Sequence, residues 1–408
     1  MSAAALPRRA PVVAADLPHR ARQSWRFLVL YALAVAGGAV AYVPFLTLLL
    51  PLQAGRLAGD QGFSLLAYAA FAGAVTASLA NLGFGWLSDH TRTRRPWIAA
   101  GLVSSSAMLV AMPLAQSTAQ LIAMIVVWQL CLNMMLGPLF ALAGDYVPDE
   151  QKGLLGGLLG IAPALGALSG ALVTIPGFAA ADQRYGLVAG LVVLLVGPLL
   201  LAGKPVPMPH LLAVDQTVSG KPSPVKPAMQ MWLARLLVQI AEAALFAFLL
   251  LWFRSLDPRF ADHTAATLLT AVLALAAVIT LLAGRWSDSA QQPILPLTLG
   301  AGSAAVGLIT MAVATDVATA IAGYVLFGLS ASAFLALHSS QTLRVLPRPA
   351  TRGRDLGLFN LTNTVPSLVM PGLTLALVPR YGFGTLFLLL AGLSALACVI
   401  LLRLSRRV

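Results

Sequence analysis

Apolar runs of about 20 residues, the length that crosses a lipid bilayer as a helix, recur from Trp25 to the end of this 408-residue chain. Twelve can be delimited, near 26–50, 63–87, 97–115, 119–143, 153–177, 184–203, 229–253, 264–286, 294–314, 317–342, 355–378 and 382–403. In hydrocarbon every backbone N–H and C=O must be bonded within the protein, which leaves helices or a closed barrel. Barrel strands are short and alternate in polarity, unlike these long continuous runs. The expected fold class is therefore an all-α membrane protein with twelve transmembrane helices. Composition agrees: charged residues make up 10% of the chain, against about 25% in soluble domains.

The first 24 residues are rich in Ala, Pro and Arg and read as a disordered tail. They are not a cleavable signal peptide, because the apolar run after them is too long for one. Cys131 and Cys398 both fall inside apolar runs, as small buried hydrophobes do.

The basic residues set the orientation. With the N-terminus inside, 20 of the 26 Lys and Arg fall in inner segments and only Arg56, Arg184, Arg254, Arg259 and Arg380 in outer loops. Lys and Arg prefer the cytoplasmic side, so both termini are expected there, in a multi-pass inner membrane protein. The same residues give the net charge of +12. They form no single patch, so anionic lipid headgroups explain the charge better than nucleic acid does.

The longest polar interruption, Gly203 to Pro227, is rich in Pro, Ser and Lys and reads as a linker. It divides the spans six and six, giving a tail (1–24), an N-terminal bundle (25–203), a cytoplasmic linker (204–228) and a C-terminal bundle (229–408). The halves match at a nearly constant offset. Gly85-x-x-Ser88-Asp89 recurs as Gly284-x-x-Ser287-Asp288, Pro148 as Pro347, Lys152-Gly153 as Arg352-Gly353, and Gly157 as Gly357. Two six-helix halves in parallel repeat describe a rocker-type secondary transporter working by alternating access.

Within the spans only Arg235 and Glu242 are fully charged. A carboxylate at mid-bilayer costs about 2.5–3.5 kcal/mol on insertion scales, so Glu242 needs a reason. Arg235, Gln239 and Glu242 stand at i, i+4 and i+7, on one helix face, with Gln239 placed to bridge the other two. This face reads as cavity lining, with Glu242 loading a proton against the opposing charge of Arg235. A buried polar cluster pinning span seven to a neighbour is the alternative. Asn360, Asn363, Thr364 and Ser367 likewise share a face in span eleven, and Gln129 and Asn133 share one in span four. Trp86, Trp97, Trp252 and Trp286 sit near span ends, where an interfacial belt is expected.

Gly85-x-Leu87-x-Asp89, followed by Arg92, Arg94 and Arg95 between spans two and three, resembles the signature loop of the major facilitator superfamily. Span count, duplication and loop positions extend the resemblance over nearly the whole chain. Within that superfamily "SDHTRTRRPWI" and "GRDLGLFNLTNTVP" are similar to loops of sucrose transporters, related glycoside–cation symporters and their bacterial relatives. Those proteins couple through an acid in span four and an arginine in span five. Here span four offers Gln129 and Asn133 and span five has no charge, so coupling is assigned to Glu242 and Arg235. Ala162 to Ala167, "APALGA", resembles a degraded motif of drug–proton antiporters, although close helix packing explains the glycines of span five, Gly153, Gly156, Gly157, Gly160, Gly166 and Gly170, with no reference to transport direction.

The resemblance implies that spans one, four, seven and ten line a central cavity. Gln129, Asn133, Gln239 and His338, with Asn360 and Asn363, are then the substrate-binding candidates, since amides that donate and accept suit a sugar. For His338 a place at the cytoplasmic interface is the simpler reading. Asp89 is expected at the start of span eleven, where a helix N-terminus favours a carboxylate, near Arg352 and Arg354. The duplication places Asp288 at the start of span five near Lys152. With Arg94 and Arg95 these residues would form a cytoplasmic gate.

No HExxH, GxSxG or P-loop pattern occurs, which excludes familiar enzyme and ATP-driven chemistry. The expectation is a monomeric, non-enzymatic transporter with no cofactor, taking up a sugar or glycoside with a proton or other monovalent cation. Efflux of a drug or metabolite is the alternative.

Overall fold

In the computed structural model, residues 22–58, 62–173, 175, 179–208, 211, 225–260, 262–345 and 352–406 are described. Among them the chain is helical throughout, with no strand.

Span one is a helix over Trp25–Pro44 that continues through a π-helical turn, Phe45–Leu49, into Leu50–Ala58. Ser24 caps its start through Phe27 N–H at 3.2 Å. The π turn follows Pro44, which lacks the N–H that would continue the α ladder. Spans two to four are Gly62–His90, Arg95–Ala111 and Thr118–Tyr146. Span five breaks after Leu159 into Lys152–Leu159 and Ala162–Val173. Span six is Gln183–Ala202. Spans seven to ten are Val225–Leu256, Asp262–Ser289, Leu295–Val313 and Val317–Val345. Spans eleven and twelve form a continuous helical stretch, Arg352–Ser405, bent at Gly382, whose φ of 75° a side chain would resist.

Ten of these segments are long and apolar enough to cross a membrane. Spans seven and eleven, which hold Arg235, Glu242, Asn360 and Asn363, complete the twelve. The fold is the expected all-α arrangement of two six-helix halves.

Each half has its own core. One is assembled from residues 27 to 199 around Trp128, Tyr31 and Tyr185, with Leu343 as its one member from the second half. The other runs from Met231 to Leu404 around Phe253, Phe334 and Phe387. Large apolar side chains such as Leu201 and Val103 point outward, as lipid contact allows.

The duplication extends to the backbone. Arg92 and Gln291, one in each copy of the loop after the Gly-x-x-Ser-Asp frame, are the two positive-φ non-glycine residues described, at 53° and 55°.

Three details differ from the sequence reading. The middle of the linker lies outside the described residues, but residues 225–228 already belong to span seven. The end of the tail is fixed: Gln23 is buried and bonds Tyr146 O, Gln151 and Val206. Its two-sided amide stitches the start of span one to the ends of spans four and six. Trp252 is buried edge-on against Phe387 at 4.7 Å, so it is a core residue and not part of a belt.

Candidate functional site

The halves meet on the face that carries the start of span one and the loops after spans two, four, six and eight, here the terminal face. Close packing between them runs along span two against span eleven, and along the first part of span five against spans eight and ten. Span seven packs on spans eight, ten and eleven, and span one on spans four, five and six. The molecule is therefore sealed on the terminal face, and spans one and seven each pack within their own half.

Asp89, at the end of span two, accepts from the backbone N–H of Gly353 at 3.0 Å and of Arg354 at 2.9 Å. These donors are unpaired within their helix because they lie in its first turn, and the helix dipole favours an anion there. Arg94 fixes the carboxylate from behind, its Nη2 2.7 Å from Asp89 Oδ1 and its Nε 3.0 Å from Asp145 Oδ2. A third bond runs from Arg94 Nη1 to Ser88 Oγ at 2.6 Å. Burial opposes the charge on Arg94, but Asp145 and then Asp89 outweigh it, so its pKa lies above the ordinary arginine value.

The second copy has the same core geometry. Asp288 accepts from Gly153 N–H at 2.9 Å and from Leu154 N–H at 2.7 Å, at the start of span five. The residue 199 places after Arg94 is Pro293, so the second copy has no arginine at the position matching Arg94.

Apart from Arg94, the basic gate residues make other contacts. Lys152 Nζ pairs with Asp149 at 2.5 Å. The guanidinium of Arg354 pairs with Asp355 at 2.9 Å, and Asp89 takes its backbone N–H instead. Arg95 donates to Gly203 O, at the root of the linker. Arg352 opens span eleven, and its side chain lies outside the described residues. Helix N-termini supply backbone donors to both aspartates, and at Asp89 the Arg94 ion pair adds to them.

The interior cluster sits on spans seven, ten and eleven. Arg235 donates from Nε to Thr362 Oγ1 at 3.0 Å, from Nη1 to Ser339 Oγ at 2.9 Å and Leu335 O at 3.3 Å, and from Nη2 to Asn363 Oδ1 at 3.3 Å. Asn363 donates in turn to Asn360 at 2.8 Å. Glu242 accepts from Gln239 Nε2 at 2.7 Å. Gln239 therefore serves Glu242 alone and does not bridge to Arg235, because the guanidinium turns toward spans ten and eleven. Both Arg235 and Glu242 are half-buried, so each charged side chain keeps some open surface within its span. Tyr42 of span one and Tyr324 of span ten lie within the electrostatic reach of Glu242.

Three substrate candidates fall away. Asn133 and Gln129 are buried between spans two and four. Asn133 bonds Gln129 O at 2.9 Å and Gln129 Oε1 at 3.3 Å, and it accepts from Asn81 at 3.1 Å. These bonds tie Asn133 to both neighbours, as buried polar groups between helices require. His338 is fully buried, with Nε2 on Met231 O at 2.9 Å and Nδ1 on Thr342 Oγ1 at 3.0 Å. Both ring nitrogens are occupied, so it lines no cavity and does not reach an interface. In span eleven Thr364 bonds Ser78 of span two at 2.8 Å, and the side chain of Ser367 lies outside the described residues. The antiporter-like stretch packs its Gly166 against Val43 and Ala39 O of span one.

Asp145 is the residue that sequence reading missed. The signal was present: an acid in the last turn of span four opposes the helix dipole and requires a partner. Ser339 and Thr362 gave no such signal, because isolated hydroxyls are common in spans.

Residues 231–408 match the family model described as Major Facilitator Superfamily. No curated protein sequence matches the chain. Among solved structures, the human organic anion transporter MFSD10 (TETRAN) aligns with a TM-score of 0.75 at 16% identity, covering 92% of this chain and 99% of that one. The major facilitator superfamily transporter FucP, in its outward conformation, gives 0.71 at 15% identity, covering 93% and 98%. The proton:xylose symporter XylE gives 0.69 at 12% identity, covering 92% and 95%. The chain thus has the major facilitator fold over nearly its whole length, and its C-terminal half matches that superfamily in sequence as well.

Proposed function

We propose that this protein is a secondary transporter of an inner membrane, with both termini cytoplasmic, that takes up a small hydroxylated solute together with a proton. The observation that carries this reading is Glu242, a half-buried carboxylate near the middle of span seven, in a molecule whose two halves meet on one face. Such a group is expensive in a membrane and is retained where it binds or couples. Asn360, Asn363 and Gln239 beside it offer the paired donors and acceptors that hydroxyl groups use. The sugar symport in the name of XylE supports uptake of a sugar-like solute. The anion transport in the name of MFSD10 fits the basic Arg235 in the same cluster. The two Asp-to-helix contacts act as the cytoplasmic latch of an alternating-access cycle.

The test is Glu242→Gln in purified protein reconstituted into vesicles. The variant keeps solute exchange across the membrane but no longer accumulates solute under an inward proton gradient. Full accumulation by the variant defeats the assignment of Glu242.

A further inference from the structure

Arg235 presents an imbalance. It is a permanent cation within a membrane span, and each acceptor it meets is a neutral oxygen: Thr362, Ser339, Leu335 and Asn363. No carboxylate among the described residues pairs with it. Glu242, the other charge on its helix face, lies seven residues along, about 10 Å at 1.5 Å rise per residue, and is held by Gln239. His338 lies within the field of Arg235 but has both ring nitrogens engaged.

The neutral contacts orient the guanidinium without neutralising it. They account for four of its five N–H groups, and the fifth belongs to Nη2, on the exposed side with Asn363 and Asn360. The Asn363 bond is long, at 3.3 Å, and is readily exchanged for a charged acceptor. Arginine forks match carboxylates in geometry as well as charge. On the Glu242 side, Gln239 Oε1 is buried with no partner, an acceptor waiting for a hydroxyl.

We propose that the solute is an anion, a hydroxylated monocarboxylate of the sugar-acid class, whose carboxylate docks on the Nη2 edge of Arg235 while its hydroxyls meet Asn360, Asn363 and Gln239. The inference rests on the transporter reading above and narrows its substrate. It also gives coupling a physical cause. With the cavity empty, Arg235 and an ionised Glu242 sum to zero charge. With the anion on Arg235 and a proton on Glu242 the sum is again zero. Either ligand alone leaves one net charge in a closing, water-poor interior, and such a charge is strongly disfavoured. Only the empty and the doubly loaded carrier turn over, so one anion moves with one proton and no net charge crosses.

The experiment uses the full chain in proteoliposomes under an inward proton gradient, with labelled D-gluconate, D-glucuronate, D-glucose and sucrose as probes. At least one of the two acids accumulates, and clamping the membrane potential at opposite signs leaves its uptake unchanged. Arg235→Gln lowers acid uptake by about ten- to a hundred-fold, the loss expected for one charge-assisted contact, and Arg235→Lys recovers part of it. The wild-type measurements stand even if Arg235→Gln does not fold. Accumulation of a neutral sugar in preference to both acids overturns the inference and leaves the transporter reading intact. Acid uptake that follows the membrane potential overturns the charge-balance cause. Failure of all four probes to move under the gradient overturns both readings.

Discussion

Gly85 of span two and Gly353 of span eleven meet backbone to backbone: a Cβ on either one would land on the carbonyl oxygen of the other. Gly153 of span five and Gly284 of span eight stand in the same relationship. Each pair joins the Gly-x-x-Ser-Asp frame of one half to the Lys/Arg-Gly step of the other. The Asp of each frame then reaches the N–H groups of that same step. Close approach and anion capture are therefore one device used twice.

Replacing Gly85 or Gly284 with alanine inserts a methyl where only backbone fits. Overpacking of this kind costs about 1–3 kcal/mol, charged to the sealed conformation alone. Cysteines introduced into the interior clusters should become more reactive from the terminal face and less so from the other. The double variant should shift further than either single one, because the two crossings share no partner.

Asp89→Asn keeps the shape of the latch and removes its charge. The two backbone N–H groups lose a charge-assisted acceptor, and hydrogen bonds to charged groups are worth about 1.5–3 kcal/mol. The sealed state should lose occupancy by roughly ten-fold or more, read from the same accessibility measurements. Asp288→Asn should behave alike, because it removes the same charge from the matching helix start.

Arg94→Gln leaves Asp89 and Asp145 buried without their cation. Breaking a buried pair by removing one partner costs about 3–5 kcal/mol, so the melting temperature of the detergent-solubilised protein should fall sharply. Adding Asp145→Asn should recover part of the loss. The raised pKa of Arg94 means that its contribution is complete below its unfolded value and is lost only at strongly alkaline pH. Between pH 5 and 9, Arg94 should therefore add no pH dependence of its own to the melting difference between wild type and Arg94→Gln.

Asn133→Ala should separate scaffold from site. It strips a buried amide from Asn81 and Gln129, at a cost of about 1–3 kcal/mol in stability. Protein that survives should keep its KM. Asn363→Ala, in contrast, should raise KM with little change in melting temperature, because its bonds lie on the exposed side.

The sequence by itself determined the twelve spans, the twofold repeat and the identity of the charged interior residues. The reason is physical: bilayer thickness fixes run length, duplication leaves residues at a constant offset, and charge within lipid is too costly to occur by chance. It also placed Asp89 and Asp288 at helix starts, because an anion suits an N-terminus wherever the chain brings the two together. Side-chain direction was beyond it. Helical spacing put Gln239 between Arg235 and Glu242, but packing against spans ten and eleven turned the arginine away. Gln129, Asn133 and His338 share polarity with Asn360 and Asn363, and only the neighbours they face separate a buried seam from a solvent-lined one. That depends on the rotation of each helix in the bundle, which residues far apart in the chain set together through close packing.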